Sequence, residues 1–392
     1  MHNVKPSFVR EILKVAEQPE IISFAGGLPA PELFDFEGIK EAADEALSKD
    51  RVGALQYGVT EGFIGLREEL AKLTASRGAP SDPRRMVVTT GSQQGIDLLA
   101  RSVLDPGDVV LLEEPTYLAT LQVLDLAQAQ KVGVEADEQG LDPAALERRV
   151  QELIAEGRPP KMLYVVSNFA NPTGATLPRA RRKAILELAV KYGFLVVEDD
   201  PYGEIRFEGE SVAPFHGVAA EVPGASDLVA YLSTLSKTMA PGLRIGWMVL
   251  PEWLQQAVAV VKQASDLHAS TLAQRVAHRY LLSGRMAAHL PKIRAAYGER
   301  MQIMLDELER QLPGVIEVER PEGGMFLWGR MSEGVDTMPL VRQAEKAGVL
   351  FVPGTVFSPS GGQRNKLRLS FVTNTREQIQ EGVRRLAGVM MD

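Results

Sequence analysis

The most regular feature of the sequence is an alternation of short apolar runs and longer amphipathic stretches over residues 84–250. The apolar runs are rich in β-branched residues and lie at residues 86–90, 109–112, 162–166, 194–198, 228–232 and 245–249. Runs of this kind predict strands buried on both faces, and their alternation with helices predicts a mostly parallel sheet. Helices are predicted at residues 93–104, 116–127, 142–156 and 179–192.

The pattern changes after Gly284. Helices are predicted there at residues 291–311 and 339–347, and strands at residues 315–318, 325–328 and 366–372. The predicted fold class is α/β, with a large domain whose mostly parallel sheet is flanked by helices and a smaller α+β domain. We predict an N-terminal arm or helix at residues 1–20, a small-domain part at 21–48, the large domain at 49–284 and a C-terminal small domain at 285–392.

Composition narrows the classes of function. The chain has 392 residues, 45% of them hydrophobic, which is typical of a globular protein with a large core. A net charge of -8 argues against a nucleic-acid surface. With no cysteine and five scattered histidines, we expect no disulfide, no thiolate and no metal site. No signal core and no membrane span are visible, so we expect a cytoplasmic protein.

Polar residues follow five of the predicted strands. They occupy residues 90–94, 114–117, 168–174, 199–202 and 234–237. Ligands of open parallel sheets bind beyond the carboxyl ends of the strands, so we expect these residues to gather around one site.

Lys237 is the most informative residue in this set. It follows Thr234 and Ser236, and Arg244 stands seven positions later. A lysine whose pKa is lowered can capture a carbonyl group, and hydroxyls with an arginine suit the phosphate of an aldehyde cofactor. In isolation such a lysine is more often an ordinary surface residue in a Ser/Thr-rich loop, so the interpretation depends on the other strand ends.

Those strand ends offer what a phosphorylated pyridine aldehyde needs. Ser92 and Gln93 at a predicted helix N-terminus suit a phosphate, although a simple helix cap is as common. Tyr117 suits ring stacking, although a tyrosine with a single hydrogen bond in the core is more common. Asp199 suits a pyridinium nitrogen, although Asp199 or Asp200 taken singly is more often a cap.

The motifs that carry a family resemblance are Gly-Ser-Gln-Gln at residues 91–94, Asn-Pro-Thr-Gly at 171–174, Asp-Asp-Pro-Tyr at 199–202 and Ser-Lys-Thr-Met-Ala-Pro-Gly-Leu-Arg at 236–244. In this order and spacing, the chain resembles the pyridoxal-phosphate enzymes of fold type I. More narrowly, it resembles a class I aminotransferase of the aminoadipate/kynurenine type. The resemblance extends from residue 23 to residue 370.

The resemblance implies pyridoxal 5′-phosphate as the cofactor and a catalytic set of Lys237, Asp199 and Tyr202. Lys237 would form the internal aldimine, and Asp199 would hold the pyridine nitrogen. Asn171 and Tyr202 would contact the ring oxygen, and Tyr117 would stack on the ring. The implied phosphate ligands are Ser92, Gln93, Thr234, Ser236 and Arg244, joined by Tyr57 of a neighbouring subunit, so that a homodimer with shared sites is implied.

For the substrate, the resemblance implies that Arg368 grips the α-carboxylate beside Asn171 and the backbone amide of Gly27. Without the resemblance, Arg368 would be taken for a strand arginine on a solvent face. Arg10 resembles an arginine that meets the distal carboxylate of aminoadipate in relatives, although an exposed arginine on an amphipathic helix is more common.

The expected reaction is ping-pong transfer of an amino group from an L-amino acid to a 2-oxo acid such as 2-oxoglutarate. We expect 2-aminoadipate or glutamate as donor, with some activity on leucine or aromatic amino acids. A β-lyase or decarboxylase on the same scaffold stays open, because the motifs mostly bind cofactor. A regulator would need a DNA-binding domain before Ser23, and a Schiff-base aldolase would not need the phosphate cup.

Overall fold

The fold is described from a computed structural model that covers Ile12, Val15, Ala16 and residues 18–391. Its strands are β1 (Ile22–Ser23), β2 (Met86–Thr90), β3 (Val109–Glu114), β4 (Gln130–Asp137), β5 (Gly140–Leu141), β6 (Pro160–Val166), β7 (Leu195–Asp199), β8 (Val229–Thr234), β9 (Ile245–Val249), β10 (Glu317–Val318), β11 (Phe326–Arg330), β12 (Val349–Leu350), β13 (Val352–Pro353) and β14 (Lys366–Ser370).

The α-helices in the same part of the chain are α1 (Phe36–Lys49), α2 (Arg51–Leu55), α3 (Ile64–Ser76), α4 (Ser92–Val103), α5 (Leu118–Leu126), α6 (Pro143–Ala155), α7 (Arg179–Tyr192), α8 (Phe215–Val218), α9 (Glu252–Ser265), α10 (Thr271–Leu282), α11 (Arg285–Gln311), α12 (Thr337–Lys346) and α13 (Arg376–Met390). None of these helices is both long and apolar enough to cross a bilayer.

An eight-stranded sheet forms the centre of the molecule, in the order β2-β9-β8-β7-β6-β3-β4-β5. Strands β3, β4, β6, β7 and β8 pair in parallel, whereas β9 is antiparallel to both of its neighbours and β5 is antiparallel to β4. Successive residues of β3 face opposite sides: Val110 and Leu112 join one apolar cluster, and Val109 and Leu111 join another. The sheet is thus buried on both faces by helices, and the prediction of a mostly parallel sheet is confirmed.

A second, antiparallel sheet has the order β10-β11-β14-β13 and lies with α11, α12 and α13 in the C-terminal part. Strand β1 pairs in parallel with β12, which joins the segment around Ile22 to this part of the molecule. Helix α1 instead packs on α10 through Ala42 and Ala46. The predicted domain boundaries therefore stay a proposal.

Strand β4 and the start of helix α11 differ from the sequence prediction. Strand β4 was missed because only its alternate residues Val132 and Val134 are buried, while Gln130 and Glu135 are exposed. Helix α11 begins at Arg285 and not near Pro291, because Met286 and Leu290 of the extra turns bury their side chains in the core.

Candidate active site

The carboxyl ends of the parallel strands border a cavity of ≈ 470 Å³. The lining includes Gly27, Ser92, Gln93, Tyr117, Asn171, Asp199, Tyr202, Thr234, Ser236, Lys237, Arg244 and Arg368. The structure therefore brings together the residues that the strand-end argument expected to meet. Tyr57 is not among the lining residues: its side chain is 79% exposed and meets His268 edge-on, with ring centroids 5.8 Å apart. Arg10 lies outside the described residues.

Lys237 ends a 3-10 turn, Leu235–Lys237, that directly follows β8. Its Nζ atom donates a hydrogen bond to the carbonyl oxygen of Gly27 at 2.8 Å. Burial, together with the nearby cations of Arg368 and Arg244, lowers the pKa of Lys237 to about 8. A substantial fraction of this lysine is therefore a neutral, nucleophilic amine at mildly alkaline pH.

Asp199 is the last residue of β7, and its side chain points into the cavity. Its Oδ2 atom accepts a hydrogen bond from the Tyr164 hydroxyl at 2.8 Å, whereas Oδ1 is buried without a partner among the described residues. Burial raises the pKa of Asp199 to about 7, although the Tyr164 hydrogen bond opposes this shift. The unpartnered oxygen is suited to a ligand that donates a hydrogen bond or carries a positive charge.

The two acidic neighbours of Asp199 face the other side of the sheet. Asp200 pairs with Arg77 and accepts a hydrogen bond from Asn168 Nδ2 at 2.8 Å. Glu198 accepts hydrogen bonds from the backbone N–H groups that begin α8, the nearer one, from Phe215, at 2.9 Å. Because strand side chains alternate, Asp199 alone of the three carboxylates is available to the cavity.

A group of hydrogen-bond donors lies at one end of the cavity. Gly91, with φ of 78°, turns the chain from β2 into α4, which begins at Ser92. Arg244 has a left-handed backbone, and its Nη2 atom donates to the carbonyl oxygen of Thr90 at 3.1 Å. The Thr234 side chain accepts from the backbone N–H of Ser236 at 3.1 Å. A helix N-terminus, two hydroxyls and a guanidinium together form a suitable site for a phosphate.

Arg368 on β14 is 2% exposed and lies between aromatic rings, with its guanidinium carbon 4.2 Å from the Phe326 centroid and 5.0 Å from the Phe357 centroid. Its Nη1 atom donates to Asn171 Oδ1 at 2.7 Å and Nη2 donates to the carbonyl oxygen of Ala25 at 2.6 Å.

The Arg368 Nε atom is buried without a hydrogen-bond partner in the described part of the chain, and burial lowers the pKa of Arg368 to about 10. A buried guanidinium whose recorded partners are neutral oxygens is suited to bind a carboxylate.

Two tyrosines line the cavity: Tyr202 lies in the segment after β7, and Tyr117 lies directly before α5. Tyr202 is 5% exposed, meets Phe326 edge-on and has a pKa raised by burial. Tyr117 is half-buried. The residue before Tyr117 is tied to the C-terminal part, because the Thr116 N–H donates to the Phe357 carbonyl oxygen at 2.9 Å.

Sequence reasoning missed three side chains that support this site. Tyr164 lies inside an apolar strand, where a buried hydroxyl needs a partner, and that need was the available signal. Phe326 and Phe357 carry no such signal, because core phenylalanines are indistinguishable from one another in sequence.

The chain is similar to known proteins over nearly its whole length. A family model described as aminotransferase class I and II matches residues 24–386. The chain belongs to this family. It is 41% identical over 385 residues to the aromatic-amino-acid aminotransferase 1 of Thermococcus litoralis, covering 98% of this chain and 91% of that relative. It is also 41% identical to the 2-aminoadipate transaminase of Thermus thermophilus, covering 98% and 93%.

A solved structure of the Thermus thermophilus α-aminoadipate aminotransferase, complexed with N-(5′-phosphopyridoxyl)-L-leucine, has a TM-score of 0.90 and 39% identity. The match covers 100% of this chain and 96% of that structure. The fold is accordingly that of the pyridoxal-phosphate-dependent aminotransferases, and the protein is an aminotransferase enzyme.

Proposed function

We propose that this aminotransferase moves the amino group of an acidic L-amino acid, 2-aminoadipate or glutamate, to a 2-oxo acid such as 2-oxoglutarate in ping-pong order. Leucine and aromatic amino acids are proposed as further donors. The observation that carries the proposal is the buried Arg368 guanidinium, which shares one cavity with the amine of Lys237. The names of the relatives, which include an aromatic and a 2-aminoadipate enzyme, support the range of donors.

The cofactor is pyridoxal 5′-phosphate, and the cavity fits it. Asp199 Oδ1, which lacks a partner in the described structure, suits the pyridine nitrogen. In the proposal, Asn171 and Tyr202 bind the ring oxygen, Tyr117 stacks on the ring and Lys237 holds the aldehyde carbon. The proposed phosphate ligands are Ser92, Gln93, Thr234, Ser236 and Arg244.

The bound cofactor supplies a carbonyl carbon that takes up the amino group and a ring that accepts electrons from the substrate. The chain supplies orientation and proton transfer. Lys237 Nζ takes the proton from the substrate Cα atom, for which its lowered pKa suits it near neutral pH. Asp199, when ionised, keeps the pyridine nitrogen protonated, and the hydrogen bond from Tyr164 favours the ionised form.

Arg368 is proposed to bind the substrate α-carboxylate, with the backbone amide of Gly27 beside it. Two observations support this role. The two aromatic neighbours of Arg368 hold the guanidinium without neutralising its charge, and the unpartnered Nε atom is left to donate to a carboxylate. Arg10 is proposed to meet the distal carboxylate of an acidic donor. Tyr57, whose side chain is largely exposed, is proposed to reach the phosphate of a second subunit in a homodimer.

A panel of amino donors tests the substrate proposal. The purified enzyme is incubated with 2-aminoadipate, leucine and phenylalanine in the presence of 2-oxoglutarate, and glutamate is tested with pyruvate. We expect matching amounts of new 2-oxo acid and new amino acid, with the highest kcat/KM for the acidic donors. Release of ammonia or carbon dioxide as the main product would instead indicate elimination or decarboxylation.

Two variants test the proposed residues. Arg10→Gln is expected to lower kcat/KM for 2-aminoadipate but not for leucine, and Lys14→Gln on the same segment is the control; an equal loss for both donors would refute the role of Arg10. Lys237→Ala is expected to remove both turnover and the imine absorbance band of the purified protein, and retained steady-state turnover contradicts the assignment of Lys237.

A further inference from the structure

A buried lysine stands on the core-facing side of α9. The buried residues of this helix are Leu254, Val258 and Lys262, spaced four apart on one face. The first two are apolar, as a core position requires, whereas the Lys262 side chain is fully buried and charged. A buried ammonium group is costly unless it is paired, so a role beyond packing is indicated.

The ammonium group of Lys262 has three polar contacts. Its Nζ atom donates to Asp266 Oδ1 at 2.8 Å, to Asp266 Oδ2 at 3.1 Å and to Gln94 Oε1 at 3.1 Å. Lys262 does not line the cavity formed by the described residues. It therefore acts on the site through its two partners and is a positioning residue.

Both partners of Lys262 hold the turn that leads into α4. Gln94 Oε1 accepts from the backbone N–H of Thr90 at 2.7 Å, which closes the turn around Gly91. Asp266 Oδ2 accepts from Gln94 Nε2 at 2.6 Å and from the Thr90 hydroxyl at 3.2 Å. The same turn is fixed on its other side, because Arg244 Nη2 donates to the carbonyl oxygen of Thr90.

We infer that Lys262, Asp266 and Gln94 form a brace that positions the N-terminus of α4 and thereby sets the affinity of the enzyme for the phosphate group of its cofactor. The inference rests on the proposed assignment of Ser92 and Gln93 as phosphate ligands. The brace acts by geometry: if Gln94 loses its contact with Lys262, the turn at Thr90 is held by fewer bonds, and the amides of α4 are less well ordered for an anion.

The test separates phosphate binding from general stability. Purified holoenzymes of the wild type, Lys262→Met and Asp266→Asn are equilibrated by dialysis against graded concentrations of pyridoxal 5′-phosphate, and a parallel series is equilibrated against pyridoxal. The bound fraction is read from the imine absorbance. Both variants are expected to raise the dissociation constant of pyridoxal phosphate by on the order of tenfold and to leave that of pyridoxal within about twofold.

Two further variants make each outcome decisive. Lys161→Met removes a partly exposed lysine paired with Asp108 at 2.6 Å and is expected to change neither constant. Arg244→Gln, which removes a proposed phosphate ligand, is expected to weaken the binding of pyridoxal phosphate alone. If Arg244→Gln shows this selective loss while Lys262→Met and Asp266→Asn show none, or weaken both ligands equally, the brace is refuted. If Arg244→Gln is not selective, the phosphate assignment fails, and the inference fails with it.

Discussion

Replacement of Tyr164 by phenylalanine removes one hydroxyl from the back of the active site. That hydroxyl donates to Asp199 Oδ2 at 2.8 Å, and both side chains are buried. The ring of the tyrosine is retained, so the packing between β6 and β7 should be little changed. The variant therefore isolates the effect of one hydrogen bond on one carboxylate.

The size of the effect follows from the burial of the pair. A hydrogen bond to a charged group contributes about 1.5–3 kcal/mol, and about 1.4 kcal/mol corresponds to one pKa unit. The pKa of Asp199 in the cofactor-free enzyme is about 7, a value already held down by Tyr164. We expect Tyr164→Phe to raise it further by about one to two units, so that the carboxyl group is mostly protonated at neutral pH.

Carbon-13 NMR of aspartate-labelled, cofactor-free enzyme measures this pKa, and an Asp199→Asn sample identifies the signal. Tyr280→Phe is the matched control, because the Tyr280 hydroxyl also donates to a carboxylate, Asp35 Oδ2, at 3.2 Å. The control should leave the titration of Asp199 unchanged. If Tyr164→Phe also leaves the pKa of Asp199 within about 0.3 units of the wild type, the hydrogen bond does not govern its ionisation, and the reasoning is wrong.

Two other predictions concern stability. The folded-state pKa of Asp199 lies above its ordinary value of 3.8, so ionisation of Asp199 lowers the stability of the fold as pH rises between about 4 and 7. The cofactor-free Asp199→Asn variant should therefore gain up to about 4 kcal/mol in free energy of unfolding at pH 8 and nothing at pH 4. An equal gain at both pH values in thermal melts contradicts this prediction. Gly91→Ala places a Cβ atom 2.4 Å from Arg244 Nη2 at φ of 78°, whereas Gly107→Ala at φ of 93° meets nothing within 4 Å. Urea unfolding should show that Gly107→Ala loses about 1 kcal/mol in free energy of unfolding and that Gly91→Ala loses more. Of the two variants, only Gly91→Ala should bind pyridoxal phosphate more weakly. Equal losses of stability in the two variants would exclude the clash.

Local sequence patterns were sufficient for most of the large sheet. The mostly apolar, largely buried runs of β2 and β9 predicted those strands to the residue, because strands buried on both faces carry few charged or strongly polar side chains. The same rule failed for β4, whose polar alternate residues reflect its half-exposed position near the sheet edge. The start of α11 was missed because a proline near a helix N-terminus resembles a first-turn proline.

The candidate site was predictable where it depends on strand ends and not where it depends on distant contacts. Asp199 ends β7 and Lys237 follows the neighbouring parallel strand β8, so topology alone brings them together. The contact of Arg368 with Asn171 joins residues 197 positions apart, and no local pattern encodes it. The role of Tyr164 depends on the register that sets it beside Val197 of β7, which the sequence does not specify.

The segment that follows β1 holds two basic side chains of the cavity, Lys237 and Arg368, by main-chain atoms. Arg368 donates to the carbonyl oxygen of Ala25, and Lys237 donates to that of Gly27. Substitution cannot delete a carbonyl oxygen, so these anchors persist through changes of side chain. Leu28, which lines the same cavity and is 56% exposed, can therefore vary under selection for new amino donors while the two basic side chains keep their places. Substrate preference and catalytic competence can accordingly evolve separately on one short stretch of chain.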